Sequence, residues 1–197
     1  MSSPIHIRSN ELLSDNWGRL RKISFDFTRR DGSVEPQVRE VYDRGNGAAI
    51  LPFNPETGSV LLVRQFRLPA YMNGHDGFLI EVCAGVLDGL DPEAAIRKEA
   101  REELGVRLHE VERVLDVFMS PGSVTEWIAC FTARYAASDR VFEGGGAVEE
   151  GEDIEVLEIP ITEALAMVGR GEIVDAKTIM LLQHAQIAGL ATSGNTG

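Results

Sequence analysis

Cysteine, histidine and basic residues are all scarce in this chain, and each shortage removes a class of function. Cys83 and Cys130 are the only cysteines in 197 residues. Each stands alone in an apolar run, so neither a disulfide scaffold nor a paired-cysteine zinc site is available, and both are expected to be buried free thiols. The four histidines, His6, His75, His109 and His184, share no ligand spacing and are read as non-catalytic. Lysine and arginine number 19 against 31 acidic residues, for a net charge of −12. That balance argues against a nucleic-acid polymer as the natural partner, because a phosphate backbone is held by clustered cations. A small nucleotide remains acceptable where metal ions offset the charge. No apolar run is long enough to span a bilayer and no leader peptide is evident, so the expected location is cytoplasmic and no membrane partner is expected. Also absent are a G-x-S-x-G elbow, a P-loop and a dinucleotide fingerprint. Gly144, Gly145 and Gly146 lack a following Lys-Ser/Thr and read as a loop.

The remaining composition is that of a globular chain, with 44% hydrophobic and 25% charged residues, enough for one cored domain with an appendage. Periodicity and turn residues give an α/β order. Residues 16–44 read as two strands joined at Asp31–Gly32. A hairpin is expected over 48–53 and 59–66 around NPETG, then a short strand over 78–82. A helix follows, then strands near 111–119 and 125–135, an acidic glycine-rich loop over 143–153, and a strand over 154–159. Helices near 161–168 and 176–188 close the fold, ahead of a tail at 191–197 expected to be disordered.

The most informative stretch is AGVLDGLDPEAAIRKEAREELGV, residues 84–106. Asp91 suits a helix N-cap, Pro92 the first helical position, Glu93 the positive end of the dipole, and Gly105 the stop. At helical spacing Ile96, Ala100 and Leu104 form one apolar stripe. Glu99 and Glu103 stand one turn apart beside that stripe, with Glu102 next to them. Glutamates on a helix are ordinarily a solvated face, and Lys98–Glu102 would make a simple i,i+4 pair. Two features count against that reading: the carboxylates are adjacent, and the approach through Ala84, Gly85, Val86 and Leu87 is apolar. Adjacent carboxylates after a glycine loop suit magnesium, which takes oxygen ligands and shares them with a substrate phosphate.

This string resembles the box of the Nudix hydrolases, G-x5-E-x7-R-E-U-x-E-E-x-G-U, with U apolar. Lys98 to Val106 match its second half. Lys98 stands in place of the usual arginine, Asp91 in place of the first glutamate, and the spacing from Gly85 is one residue short. The runs VREVYDRGNGAAIL, LLVRQFRLPAYMNGHDGFLIEVCAGVLD, FMSPGSVTE and EDIEVLEIP are similar to the GDP-mannose pyrophosphatase branch, close to the ADP-ribose pyrophosphatases, where a shortened Asp-Pro-Glu box also occurs. The resemblance implies a mixed α/β, Nudix-type α/β/α sandwich with a mixed central sheet and an N-terminal antiparallel β extension. It divides the chain into a dimerising extension (1–45), a hydrolase domain (46–190) and the tail. It also implies a magnesium-dependent pyrophosphohydrolase, with manganese as a substitute, acting on a nucleotide sugar as a homodimer.

On this resemblance the metal ligands are Glu99, Glu103, Glu152 and the carbonyl of Ala84, with Glu150 as the fallback for Glu152. The catalytic base is a glutamate of the box helix, Glu102 or Glu103, or else Glu152. Arg67 meets the diphosphate, while Trp17, Arg39 and Glu40 face the nucleotide from the other subunit. Ala84, Gly85, Val86, Glu126 and Lys177 complete the substrate contacts. Each has a plainer reading: Trp17 packing a hairpin edge, the arginines on the surface, Glu126 solvated, Lys177 an ordinary helix-start lysine. The rival functions are the same chemistry on ADP-ribose, a non-catalytic sugar-nucleotide sensor, and an acidic structural domain.

Overall fold

The computed structural model describes residues 3–146 and 153–190. The chain divides into two compact units, Met1–Asn46 with Phe118–Trp127, and Gly47–Val117 with Ile128–Gly197.

In the first unit β1 (Ile5–Asp15), β2 (Arg19–Thr28) and β3 (Val34–Asp43) form an antiparallel sheet in that order. The Asp31–Gly32 turn lies where the sequence puts it. Asp31 Oδ1 accepts from Ser33 N at 2.9 Å and from Ser33 Oγ at 2.6 Å, and Gly32 takes φ +84, the left-handed geometry for which glycine is suited. The expectation of two strands is corrected to three. β1 escapes a period-two reading because its pairing with β2 shifts register between Ile7 and Ser9 and again between Leu12 and Ser14, which scrambles the alternation of faces. The segment after Phe118 pairs with the end of β3, through Tyr42 N to Ser123 O at 2.8 Å and Thr125 N to Tyr42 O at 3.0 Å. The strand expected from residue 125 therefore begins only at Trp127.

In the second unit a mixed sheet runs in the order β10-β5-β4-β9-β8, from β4 (Gly47–Asn54), β5 (Ser59–Phe66), β8 (Val111–Phe118), β9 (Trp127–Arg134) and β10 (Glu155–Pro160). β4 is buried along its whole length and pairs in parallel with β9, as its unbroken apolar run suits. β4 and β5 share only the pairs Phe53–Val60 and Asn54–Ser59. Beyond them β6 (Phe78–Glu81) pairs with β5, and β7 (Cys83–Val86) pairs with β4. The strand expected over 78–82 is β6, ending at Glu81, and the stretch read as a loop into the helix is a further strand, β7, set off from β6 at Val82. Its N–H donates to Thr178 Oγ1 at 2.8 Å instead of to a neighbouring strand. A short helix, α1 (Leu68–Met72), was not expected; the long helices α2 (Pro92–Leu104), α3 (Ile161–Arg170) and α4 (Ala176–Ile187) were. α2 packs on β4, β5 and β7, while α4 packs on β4 and β6 and against α3. Among the described residues no helix is long and apolar enough to cross a membrane.

Asp91 caps α2 by accepting from Glu93 N at 3.0 Å and Ala94 N at 3.4 Å. Asp91→Ala should lower stability by about 1 kcal/mol and the melting temperature by roughly 2–4 °C; an unchanged thermal melt would remove the cap from the account of this helix.

Candidate active site

α2 presents its carboxylates in two ways. Ile96, Ala100 and Leu104 are fully buried, and Glu103 beside them is only 3% exposed. The Glu99 side chain is 19% exposed and the Glu102 side chain 41%. Lys98 Nζ lies 3.1 Å from Glu102 and 4.0 Å from Glu99. The ordinary i,i+4 pair therefore exists, but it takes the outermost glutamate and leaves Glu99 and Glu103 on the inner side. Facing them, Ala84, Gly85 and Val86 lie on β7, opposite Ala49, Ala48 and Gly47 of β4. A Cβ added at Gly85 would fall 2.4 Å from Cδ of Glu99. The glycine thus lets a carboxylate rest against strand backbone, a cradle that any side chain would fill.

Glu99 against the backbone at Gly85, with the buried Glu103 one helical turn on, offers oxygen donors of the kind that suit a hard divalent cation. Among the described residues no group of three or more acidic, histidine or cysteine side chains forms a metal cluster. Glu150 and Glu152 lie outside the described residues, and so does the tail.

The glycine run has a structural purpose at this helix. Gly105 ends α2 with φ +65, and a Cβ there would meet the carbonyl oxygen of Phe142 at 2.2 Å. A Cβ at Gly144 would meet the carbonyl oxygen of Glu103 at 2.3 Å. Gly145 N donates to Glu103 O at 2.9 Å and Gly146 N to Glu102 O at 3.2 Å, so these glycines satisfy the helix's last carbonyls. Ile154 N returns to Gly145 O at 3.3 Å. Gly145 and Ile154 therefore meet at the C-terminal end of the carboxylate helix.

Arg67 and Lys177 meet on one buried residue that the sequence reading passed over. Glu81, on β6, is 1% exposed. Arg67 donates to it twice, Nε to Oε1 at 2.8 Å and Nη2 to Oε2 at 3.2 Å, and Lys177 Nζ donates to Oε2 at 2.5 Å. Lys177 also reaches Asp175 at 2.8 Å, the residue that caps α4 through Thr178 N at 3.0 Å. The signal in the sequence was a lone carboxylate inside the apolar run FLIEVC, since a buried acid is costly unless it is paired. Burial pushes the Glu81 carboxyl up, but the Arg67 hydrogen bond and the charges of Lys177 and Arg67 outweigh burial and hold its pKa below the ordinary 4.5.

Trp17, Arg39, Glu40 and Glu126 belong to the first unit. Trp17, in the turn between β1 and β2, is 90% exposed, so it does not pack a hairpin edge. Gly18 beside it lies against Tyr42, where a Cβ would fall 2.6 Å from the ring. Arg39 and Glu40 are exposed on β3. Arg39 donates to Gln37 Oε1 at 3.0 Å and lines an open groove of about 600 Å³ with Ile5, Ile7, Phe25 and Phe118. Glu126 is less solvated than expected, with a 17% exposed side chain 3.6 Å from Arg44.

Gly85→Ala should displace the Glu99 carboxylate, weakening divalent-cation binding by about tenfold or more with the circular dichroism spectrum retained; calorimetric titration of the cation checks this, and an unaltered affinity would contradict it. Glu81 adds a pH signature. Because its folded-state pKa lies below the unfolded value, it stabilises the fold above about pH 4.5, and that contribution is lost as pH falls through the lowered value. The melting-temperature gap between the wild type and Glu81→Gln should therefore narrow on acidification, and a constant gap from about pH 7 to about pH 3 would contradict the pairing.

Residues 43–182 match the family described as the NUDIX domain, and residues 4–42 match that described as the GDP-mannose pyrophosphatase NudK N-terminal domain. A protein of Pectobacterium atrosepticum named GDP-mannose pyrophosphatase is 54% identical over 195 residues, covering 98% of this chain and 100% of its own. Proteins of the same name from Klebsiella pneumoniae and Cronobacter sakazakii are 51% and 52% identical, over 100% and 96% of this chain and 98% and 99% of theirs. With a box helix whose Glu99 rests on the glycine of β7, and with these likenesses along its whole length, the chain belongs to the Nudix hydrolase family.

Proposed function

We propose that this Nudix pyrophosphohydrolase cleaves the pyrophosphate bond of a nucleoside diphosphate sugar, GDP-mannose giving GMP and mannose 1-phosphate. The observation that carries the reaction class is the placement of Glu99 and Glu103 on the inner side of α2, with the backbone at Gly85 against Glu99. The base and sugar rest on the relatives' shared name across nearly their full length.

Glu99, Glu103, Glu152 and the carbonyl of Ala84 would hold magnesium, with manganese as a substitute. Glu152 is included on the resemblance of the EDIEVLEIP run alone. When bound, the ion supplies Lewis acidity toward the diphosphate and lowers the pKa of a water. The chain's own groups do the rest. Arg67 and Lys177 offset the diphosphate charge and orient it, alongside the Ala84–Gly85–Val86 backbone and Glu126. A glutamate, Glu102, Glu103 or Glu152, takes the proton as water attacks one phosphorus in line and the other phosphate leaves. Trp17 offers a face for a base, and Arg39 and Glu40 offer polar contacts to the nucleotide.

Residues 1–45 serve as a dimerising extension, with 46–190 as the hydrolase domain. Ile5, Ile7, Leu12, Leu13 and Val38 are all more than 40% exposed in the N-terminal sheet, an apolar surface of the kind a second subunit covers. Cys83 and Cys130, both buried and in no disulfide, suit the reducing cytoplasm.

Glu103→Gln should lower kcat/KM by about 100-fold or more with an unchanged circular dichroism spectrum; full turnover would remove Glu103 from the site. A magnesium assay comparing GDP-mannose, ADP-ribose and dinucleoside polyphosphates tests the substrate, and faster turnover of ADP-ribose would replace GDP-mannose. Nucleotide binding with no phosphate release would instead favour the sensor.

A further inference from the structure

We propose that Glu81 is a positioning residue for the reaction: one buried carboxylate that holds Arg67 and Lys177 together as a preset clamp for the substrate's diphosphate. The inference rests on the reading that these two cations meet the diphosphate. They come from distant parts of the chain. Arg67 stands at the junction of β5 and α1, and Lys177 in the first turn of α4. Glu81, on the strand between them in sequence, is the group that both touch.

The geometry suits a clamp better than a simple staple. Glu81 engages Nε and Nη2 of Arg67 and leaves Nη1 on a side chain 40% exposed. Glu81 and Asp175 take two donors of Lys177, and an ammonium has three. Each cation thus keeps a donor for a phosphate oxygen while its remaining donors are held by carboxylate. A lysine stem is flexible, and ordering it at the moment of binding costs affinity. Doing so in the free enzyme removes that cost. Glu81 and Asp175 also balance the two positive charges, which would otherwise repel at close range before substrate arrives. A buried ion cluster contributes little to stability compared with apolar packing, so its presence in the apolar FLIEVC strand suits a task other than stability. Glu81 ends β6 three residues before Ala84 on β7, and the Val82 N–H between them is tied to Thr178 on α4, so one short run of chain sets both the clamp and the strand that faces Glu99.

The test is steady-state kinetics of full-length Glu81→Gln, which keeps the shape of the side chain and removes its charge. KM should rise about tenfold or more while kcat changes by less than about threefold, because binding shared by ground and transition states is what is lost. The magnesium concentration for half-maximal activity should not move. The rise in KM should be seen on GDP-mannose and ADP-ribose alike, since the clamp meets the diphosphate and not the base. In an Arg67→Gln background the same substitution should have a clearly smaller effect, because coupled residues are non-additive. Glu81→Asp, which retains the charge but is too short for the paired contact, should fall between the two, and it carries the test if Glu81→Gln does not fold. A wild-type KM in the folded variant, or an equal effect in both backgrounds, would overturn the proposal. Failure of the wild type to turn over GDP-mannose would refute the substrate reading instead, and the KM comparison on ADP-ribose would still decide this one.

Discussion

Burial of the Ile96–Ala100–Leu104 stripe of α2 on the sheet is the constraint from which the site follows. Once that stripe faces β4, β5 and β7, helical spacing turns Glu103 inward and Glu102 outward, and brings Glu99 onto the edge strand. The contact is close because the residues on this face are small: Gly85 on β7 lies against Glu99, its cross-strand partner Ala48 on β4 shares that face, and Ala95 and Ala100 are the buried small residues of α2. Larger residues here would lift the helix off the sheet and separate the carboxylates from the backbone they face. Packing and chemistry are therefore decided by the same few small side chains.

A second consequence concerns the helix end. The last turn of α2 would leave carbonyls without partners, and the triglycine run supplies the N–H groups. Positive φ at Gly105 and Gly144, with backbone approaches too close for any Cβ, explains glycine at these positions without invoking a phosphate cradle. Completing the helix cap also brings Ile154, through the carbonyl of Gly145, to the C-terminal end of the carboxylate helix.

Charge is distributed with equal economy. In a chain of net charge −12, Arg67 and Lys177 concentrate positive charge around the buried Glu81. The carboxylate that pairs them is one the sequence reading overlooked. A solitary acid in an apolar strand was visible, but its partners lie 14 and 96 residues away. Only the meeting of β6 with the β5–α1 junction and the start of α4 reveals them.

Local signals were read correctly where local physics governs. The cap at Asp91, the stop at Gly105, the apolar stripe, the Asp31–Gly32 turn and the box spacing are all short-range, because each depends on hydrogen bonds or periodicity within a few residues. The sequence by itself therefore determined α2, its glutamates, the mixed α/β class and the family resemblance. Tertiary structure decided what no short window could. It made β1 a third strand despite two register shifts, split residues 78–86 into β6 and β7, sorted the three glutamates into inward and outward, and joined Arg67, Lys177 and Asp175 around Glu81. The physical reason is that burial and charge pairing are properties of surfaces brought together by the fold, and a sequence records only one side of each contact at a time.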